Sequence, residues 1–258
     1  MHSKADRSLD SVVSEILTPK RRISEPRANV PWTERGSLAT ALGEIAYWSA
    51  GTGTPVLLVH GWEGTHADLE AFVAPLVASG HRAIAPDLRA HGESEGTTAS
   101  LYDLAENVRE IGAHIGALEG TIAHSAGSPA VAMAISRGMV ARRVALIAPP
   151  LNYERFVRDV AQGLGIDGDA LARTFLARGV DVSQLDLPRT AAALDVPALI
   201  VHSADDRITA FVGGQAVARA WRGSAFRGVD GLGHRRILRD PETVAAVLAF
   251  ILDSAPLP

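Results

Sequence analysis

The segment TIAHSAGSPA, residues 121–130, places a serine between a short apolar run and a stretch with the pattern of a helix. Ser125 therefore lies at a predicted strand-to-helix turn. A sharp turn there would hold the hydroxyl above the edge of a sheet, and it needs small residues such as Ala123 and Gly127 on either side. The first N–H groups of the helix would point toward the same place. Taken alone, these residues fit equally well with a serine that merely caps a buried helix.

A second apolar run, residues 56–59, ends in a turn that could complete a site at Ser125. Its sequence continues as His60-Gly61-Trp62. If Ser125 attacks a carbonyl group, the oxyanion that forms needs N–H donors. The residue after the serine can supply one and the tip of a neighbouring strand the other, so the backbone N–H groups of Ala126 and Trp62 are the candidates. We interpret His60 as a brace of the turn rather than as a general base, because a histidine that closes a buried strand usually makes hydrogen bonds that hold the turn.

Two later strand ends supply an acid and an imidazole. The apolar run 196–201 is followed by Asp205 and Asp206, and either carboxylate could accept the N–H of a histidine and fix its tautomer. The alternative is a solvated turn in which Asp206 pairs with Arg207. His234 follows the last short strand beside Gly233, in a loop that is not placed for core packing, and it could reach Ser125 only if the fold brings the strand ends together.

The pattern of the whole chain predicts an α/β fold with a mostly parallel central sheet and helices on both faces. Apolar runs predict strands near 38–49, 55–60, 82–87, 120–124, 143–148, 197–202 and 225–229. Helical spacing predicts helices near 66–79, 100–117, 126–138, 210–221 and 241–253.

Two regions depart from this alternation of strands and helices. Residues 1–35 are polar apart from one amphipathic helix, and we expect a surface arm that serves as a packing element or as a homodimer contact before a main domain at 36–258. Residues 151–194 are too long for a simple loop and have partly helical spacing, which predicts a small helical cap over the carboxyl edge of the sheet. An ordinary crossover helix with a long connection is the alternative.

Composition excludes several classes of protein. Hydrophobic residues make up 47% of the 258 and charged residues 21%, a balance that supports one large core rather than disorder. A formal net charge of −4, with no basic stripe, argues against nucleic acid as a partner. The chain has no cysteine, and its histidines lack the spacing of a zinc site, so we expect no metal. No segment predicts a signal peptide or a membrane span, and we expect a cytoplasmic protein.

These motifs resemble the α/β-hydrolase superfamily from about residue 38 to residue 253. The His60-Gly61 turn, the stretch PDLRAHGES at 86–94, the serine turn, Asp206 and Gly233-His234 all fall in the order that the family has. The resemblance implies an α/β-hydrolase fold with a catalytic triad of Ser125, Asp206 and His234. It also implies that Asp87, His91 and Ser94 brace a structural turn. The chain departs from the usual pattern at Ala123, Ser128 and Ser203, none of which removes a catalytic group.

The resemblance implies a serine esterase that needs no cofactor and acts on a small acyl substrate through an acyl-enzyme. Few aromatic residues and an aliphatic cap segment lead us to expect an apolar substrate. An amidase, an acyltransferase, a perhydrolase and a carbon–carbon hydrolase would use the same triad, and a ligand-binding homologue without activity would keep the fold. Relatives that cleave haloalkanes or epoxides have an aspartate where this chain has Ser125, which disfavours those reactions. For the acid, the family's spacing favours Asp206, and Asp205 is the alternative.

Overall fold

Eight strands form the central sheet of the computed structural model, which describes residues 8–24 and 30–253. The order across the sheet is β1-β2-β4-β3-β5-β6-β7-β8. The strands are β1 (Glu34–Thr40), β2 (Gly43–Ala50), β3 (Pro55–Val59), β4 (Arg82–Pro86), β5 (Leu118–His124), β6 (Ala141–Ile147), β7 (Ala198–Ser203) and β8 (Ser224–Val229). The predicted α/β architecture with a mostly parallel sheet is confirmed.

The one strand predicted over 38–49 is wrong, because this region forms a hairpin of two strands. β1 pairs antiparallel with β2, and β2 pairs antiparallel with β4. Gly43 adopts a φ of 113° at the turn, a conformation that glycine tolerates and that reverses the chain within two residues. Apolar residues continue through the turn, so the composition of the run alone did not mark it. The other strand pairs, from β4 and β3 through β8, are parallel.

Ten α-helices surround the sheet in the described residues. They are α1 (Leu9–Ile16), α2 (Val73–Ala78), α3 (Leu101–Ile115), α4 (Gly127–Ser136), α5 (Tyr153–Leu164), α6 (Gly168–Ala177), α7 (Leu187–Ala191), α8 (Phe211–Ala220), α9 (Gly233–Arg236) and α10 (Pro241–Ile251). A 3₁₀ helix at His66–Phe72 precedes α2. Side-chain caps such as Ser100, which accepts the N–H of Asp103 at the start of α3, set several of these boundaries. None of the helices in the described residues combines the length and apolar character that a bilayer span requires.

The core lies on both faces of the sheet because the parallel strands are apolar on both sides. In β3, Leu57 and Val59 join the cluster beneath α3 and α4, whereas Val56 and Leu58 join the cluster beneath α2 and α10. All four side chains are fully buried. A sheet sandwiched in this way has its functional edge at the carboxyl ends of the strands, where the loops and helix starts meet.

The insertion between β6 and β7 is helical, with α5 and α6 packed on each other and a 3₁₀ turn at Val182–Gln184 before α7. Tyr102 in α3 donates its hydroxyl to the Asp181 carbonyl at 2.9 Å, which anchors the insertion. α7 packs on α4 and α8 and is the crossover helix of this connection. A cap over the carboxyl edge, formed by α5 and α6, stays a prediction.

The predicted arm, residues 1–35, contains α1, which packs on α6, and its last two residues already belong to β1. Residues 1–7 and 25–29 of the arm lie outside the described residues, as do 254–258.

Candidate active site

Ser125 occupies a sharp turn between β5 and α4, in a left-handed backbone conformation with a φ of 49°. A residue with a side chain rarely adopts such a conformation unless the surrounding structure enforces it, and instances cluster at functional sites. Two hydrogen bonds enforce it here. The Ser125 N–H donates to the Ile147 carbonyl at the end of β6, and its own carbonyl accepts from Ser128 N–H at 2.9 Å. The turn places the serine at the carboxyl edge of the sheet.

Two glycines allow the turn after β3 to approach the serine closely. A Cβ at Gly127 would lie 2.6 Å from the His60 carbonyl oxygen, and one at Gly61 would lie 2.8 Å from Ser125 Cβ. The loop that starts at Gly61 is therefore packed directly against the serine turn. Its next residue is Trp62, and Ala126 follows the serine. In the described part of the chain neither of these two backbone N–H groups donates to a protein acceptor.

Gly127→Ala should destabilise the protein by about 1–3 kcal/mol, because the added methyl group must push the β3 backbone away. Gly163 in α5 provides a matched control, since a Cβ there would meet nothing within 4 Å. Gly163→Ala should leave stability unchanged or raise it by about 1 kcal/mol through helix propensity. Urea unfolding of both variants measures the difference, and equal stabilities would contradict the close approach at Gly127.

Asp206 accepts a hydrogen bond from His234, with 2.8 Å between Oδ2 and the Nδ1 atom of the imidazole. The other carboxylate oxygen accepts the backbone N–H groups of Ile208 and Thr209 at 2.8 and 3.0 Å. Burial alone would raise the pKa of Asp206, but the hydrogen bonds from His202, His234 and the two amides outweigh it and hold the pKa well below its usual value. An ionised carboxylate only accepts, so Nδ1 carries a proton, and in the neutral imidazole Nε2 then keeps its lone pair.

The sequence did not predict two further groups that contact the Asp206 carboxylate. His202, at the end of β7, is buried and places Nε2 3.3 Å from Oδ2. The Thr209 hydroxyl lies 2.9 Å from the same oxygen and 3.2 Å from His234 Nδ1. The i, i+4 spacing of His202 and Asp206 is the only signal in the sequence, and it is uninformative without the turn between them.

Asp205 makes no hydrogen bond to the His234 side chain in the described structure and instead holds the neighbouring backbone. Its Oδ1 accepts the Gly233 N–H at 2.8 Å and the hydroxyl of Ser203 at 2.5 Å. Ser203 in turn accepts the N–H groups of Leu232 and Gly233 at 3.2 and 3.1 Å. The tip of β7 thus holds the start of α9, the short helix that carries the histidine. Ser203 stands where relatives often have glycine, and its hydroxyl has a clear use here.

His234 lies in the short helix α9, and a second histidine fixes its backbone. Nε2 of His124 is 2.9 Å from the His234 carbonyl oxygen, and the two rings are 4.6 Å apart. His124 is the immediate neighbour of Ser125, so this hydrogen bond ties the histidine loop to the serine turn. No hydrogen bond joins the Ser125 hydroxyl to the His234 ring in the described structure, and in unliganded enzymes such bonds are often long and tighten around the substrate.

A cavity of about 360 Å³ lies at this edge and is lined by both Ser125 and His234. Its walls come from the loop after β3, the 3₁₀ helix that follows it, the region 232–240 and the N-terminal segment. None of residues 151–194 lines it. The lining includes several arginines, whereas the aliphatic residues of the insertion led us to expect an apolar site. Among residues 8–24 and 30–253, no group of three or more potential ligands could hold a metal ion.

His60 braces the turn after β3, in line with its expected role. Its Nδ1 lies 2.7 Å from the Gly61 carbonyl oxygen, and its Nε2 accepts the Leu88 N–H at 2.9 Å. Burial lowers the pKa of His60, so the ring is neutral with a fixed tautomer. Because both ring nitrogens are occupied by backbone partners, His60 is not available as the general base.

Asp87 organises the loop after β4, where the sequence predicts a structural turn. It accepts the His66 N–H at 2.7 Å and the Glu93 N–H at 2.9 Å. Ser94 accepts the Ala46 N–H at 2.9 Å and donates to the Asp87 carbonyl, linking the loop to β2. These contacts account for Asp87 and Ser94 without a catalytic role.

Two arginines of the basic run at residues 20–22 are tied to the main domain. The guanidinium of Arg21 donates to the carbonyls of Gly92, Ser94 and Gly96. Arg22 pairs with Asp68 at 3.0 Å and lines the cavity. The partners are more than 40 residues away in sequence, so the pattern of the run itself could not identify them.

Protein stability should fall as the pH is lowered from about 6.5 toward 3. Burial, together with the neighbouring imidazole of His234 or His60, lowers the pKa of His124 and of His91 to about 3 from the usual 6.5. Between pH 6.5 and pH 3 these histidines are protonated in the unfolded chain but stay neutral in the folded one. Each histidine therefore contributes a slope of up to about 1.4 kcal/mol per pH unit, and the full stability is present only above pH 6.5.

His91→Asn tests this slope, because an amide N–H can replace the Nδ1–H that donates to the Arg89 carbonyl at 2.8 Å. Urea midpoints at about pH 7.5 and about pH 5 should differ less for the variant than for the natural chain. An unchanged difference would show that His91 does not contribute.

Comparison with known proteins places this geometry in a family. Residues 56–247 match the model of the alpha/beta hydrolase family. A non-heme haloperoxidase of Rhodococcus erythropolis is 27% identical over 267 residues, covering 82% of this chain and 96% of the relative. An esterase of Thermogutta terrifontis superposes with a TM-score of 0.63 at 21% identity, over 83% and 97% of the two chains. A bromoperoxidase of Bacillus anthracis superposes with a TM-score of 0.68 at 19% identity, over 85% of this chain and 100% of the bromoperoxidase.

The family model matches most of the chain, and it includes the serine turn, both aspartates of the 205–206 pair and His234. The solved structures share its fold along nearly their whole length. The chain therefore belongs to the alpha/beta hydrolase family, and it is a hydrolase.

Proposed function

We propose that this protein hydrolyses carboxylic esters of small molecules through Ser125, His234 and Asp206. The observation that carries the proposal is the 2.8 Å hydrogen bond from His234 to Asp206, made by an imidazole that shares its cavity with a serine in a strained turn. Asp206 fixes the tautomer in which Nε2 is free to accept a proton. The order Ser, Asp, His along the chain is the one that this family uses.

The reaction has two steps that use the same groups. His234 Nε2 accepts the Ser125 proton as the hydroxyl oxygen attacks the ester carbonyl, and the imidazolium returns that proton to the leaving alcohol as the ester bond breaks. Water then attacks the acyl-enzyme, gives its proton to the same nitrogen and releases the acid. Asp206 stays ionised and stabilises the imidazolium in both steps. These steps need no cofactor.

The N–H groups of Trp62 and Ala126 are the proposed donors to the oxyanion of the tetrahedral intermediate. The packing of Gly61 against Ser125 supports this assignment, as does the position of Ala126 at the start of α4, where N–H groups lack helical partners. Donors that are already oriented stabilise the developing charge without reorganisation.

Labelling with a fluorophosphonate tests the proposal directly, because the reagent modifies only a serine that a neighbouring base activates. Intact mass should increase by one adduct, and peptide mapping should locate it on Ser125. Pre-treatment with a short activated ester should slow the labelling. A chain that neither reacts nor turns over such an ester would be a ligand-binding homologue without activity, and the proposal would be wrong.

The haloperoxidase relative favours one alternative acceptor, hydrogen peroxide in place of water. Peroxide attack on the acyl-enzyme would release a peracid and restore the serine, with the proton again accepted by His234. Product analysis of one ester in the presence of water, peroxide, an alcohol or an amine would distinguish hydrolysis from perhydrolysis and acyl transfer. Cleavage of an amide or of a carbon–carbon bond would use the same three side chains. A panel of ester, amide and carbon–carbon substrates distinguishes these reactions.

A further inference from the structure

The cavity beside Ser125 is rich in positive charge, although the protein has a formal net charge of −4. Four arginines and two aspartates line it: Arg22, Arg235, Arg236, Arg239, Asp68 and Asp240. Counted as formal charges, the arginines exceed the aspartates by two. Charge of one sign in a cleft with low-dielectric walls raises the local concentration of oppositely charged ligands.

The two aspartates already have partners. Asp68 pairs with Arg22 at 3.0 Å and accepts the Thr65 N–H at 3.3 Å. Asp240 caps α10, accepting both the N–H and the hydroxyl of Thr243 at 2.8 Å. In the described structure neither carboxylate forms an ion pair with Arg235, Arg236 or Arg239.

Arg236 is also engaged, since its guanidinium donates to the Gly231 carbonyl at 2.8 Å and lies 3.7 Å from Asp205. Arg235 and Arg239 differ from it. Within the described ranges neither guanidinium hydrogen-bonds or pairs with a protein group, and both residues line the cavity. Arg235 directly follows His234 in the chain and lines the same cavity as Ser125, which places it close to the proposed reacting groups.

We infer that the substrate carries a carboxylate in addition to its ester, and that Arg235 and Arg239 bind this carboxylate. The inference rests on the proposed ester hydrolysis and names the substrate class of the same site. A guanidinium presents a planar fork of donors that matches a carboxylate, and charge-assisted hydrogen bonds of this kind are about twice as strong as neutral ones.

The rest of the lining suits the hydrocarbon between the two functional groups. Trp62, Leu232 and Leu238 supply apolar surface to the same cavity as Ser125 and the arginines. A volume of about 360 Å³ is at the small end of ligand pockets. A short dicarboxylic acid monoester fits these requirements better than the apolar substrate that the composition predicts.

A pair of substrates equal in size tests the inference. Methyl hydrogen adipate has a terminal carboxylate, and the methyl ester of adipic acid monoamide is its neutral isostere. The kcat/KM of the natural chain should be about tenfold to a hundredfold higher for the anionic ester, the value of one or two charge-assisted hydrogen bonds. Added salt should reduce this ratio, because the arginines are exposed.

The double variant Arg235→Gln/Arg239→Gln should bring the ratio of the two kcat/KM values down to about one. The ratio is the readout because any general effect on the neighbouring His234 cancels in it. Arg219→Gln/Arg222→Gln is the matched control, since it removes the same two charges from exposed residues at the end of α8 that do not line the cavity. That variant should keep the ratio of the natural chain.

The outcomes separate the two proposals. Hydrolysis of both esters with a ratio near one, or a ratio that survives in the Arg235/Arg239 variant, would overturn the carboxylate site and leave the esterase in place. Absence of turnover and of fluorophosphonate labelling would overturn both. If the double variant fails to fold, the single variant Arg239→Gln replaces it. Inhibition of the natural chain by adipate can also be compared with inhibition by neutral adipamide. Equal inhibition by the two compounds would contradict the inference.

Discussion

Ser125→Ala is expected to lower kcat for a short activated ester by a factor of at least about 10⁴. The variant keeps the Cβ and the hydrogen bonds of the Ser125 backbone, so the turn with its φ of 49° should persist. Only the nucleophilic oxygen is lost. Hydrolysis of 4-nitrophenyl acetate under single-turnover and steady-state conditions measures the effect, and fluorophosphonate labelling should disappear with it.

Ser128→Ala is the matched control for this experiment. Ser128 lies three residues later in the same helix start, and its hydroxyl is buried without a hydrogen-bond partner in the described structure. Removing it should leave kcat within a few-fold of the natural value, since no partner loses a bond. Equal activity of the Ser125→Ala variant and the natural chain would end the proposal that Ser125 is the nucleophile.

Asp206→Asn is expected to lower kcat by about 10⁴ through loss of the correct tautomer. The amide would direct a donor at His234 Nδ1, so the imidazole would carry its proton on Nε2 and could not accept one from Ser125. The histidine should stay near its place, because Thr209 also contacts its ring and His124 hydrogen-bonds to its carbonyl oxygen. The rate should recover partly at high pH, where hydroxide can replace the general base.

Asp205→Asn tests the assignment between the two neighbouring acids. An asparagine keeps an acceptor oxygen for the Gly233 N–H, which Asp205 now binds at 2.8 Å. Activity should therefore fall by less than about tenfold, far less than for Asp206→Asn. A larger loss at position 205 than at position 206 would show that the acid of the triad has been assigned to the wrong residue.

Much of the fold was readable because strands and helices leave local periodic signals. The runs that became β3, β5, β6 and β7 were predicted within about two residues, since buried parallel strands are continuously apolar. The hairpin of β1 and β2 was missed because its turn interrupts the apolar pattern only at Gly43. The helical character of residues 151–194 was foreseen, but spacing carries no information on which side of the molecule such an insertion packs.

The sequence by itself determined the order of the chemistry: a serine, an acid and a histidine, each after a predicted strand, with small residues where the serine turn needs them. Only the tertiary structure decided which acid meets His234, since Asp205 and Asp206 are adjacent and the turn after β7 directs one to the imidazole and the other to the Gly233 backbone. It also decided the charge of the cavity. Arg22, Arg235 and Arg239 are separated by up to 217 positions in the chain, counted from their numbers, and chain folding alone gathers them beside Ser125. Local patterns follow from the backbone geometry of neighbouring residues, whereas a site depends on distances between residues that no local rule fixes.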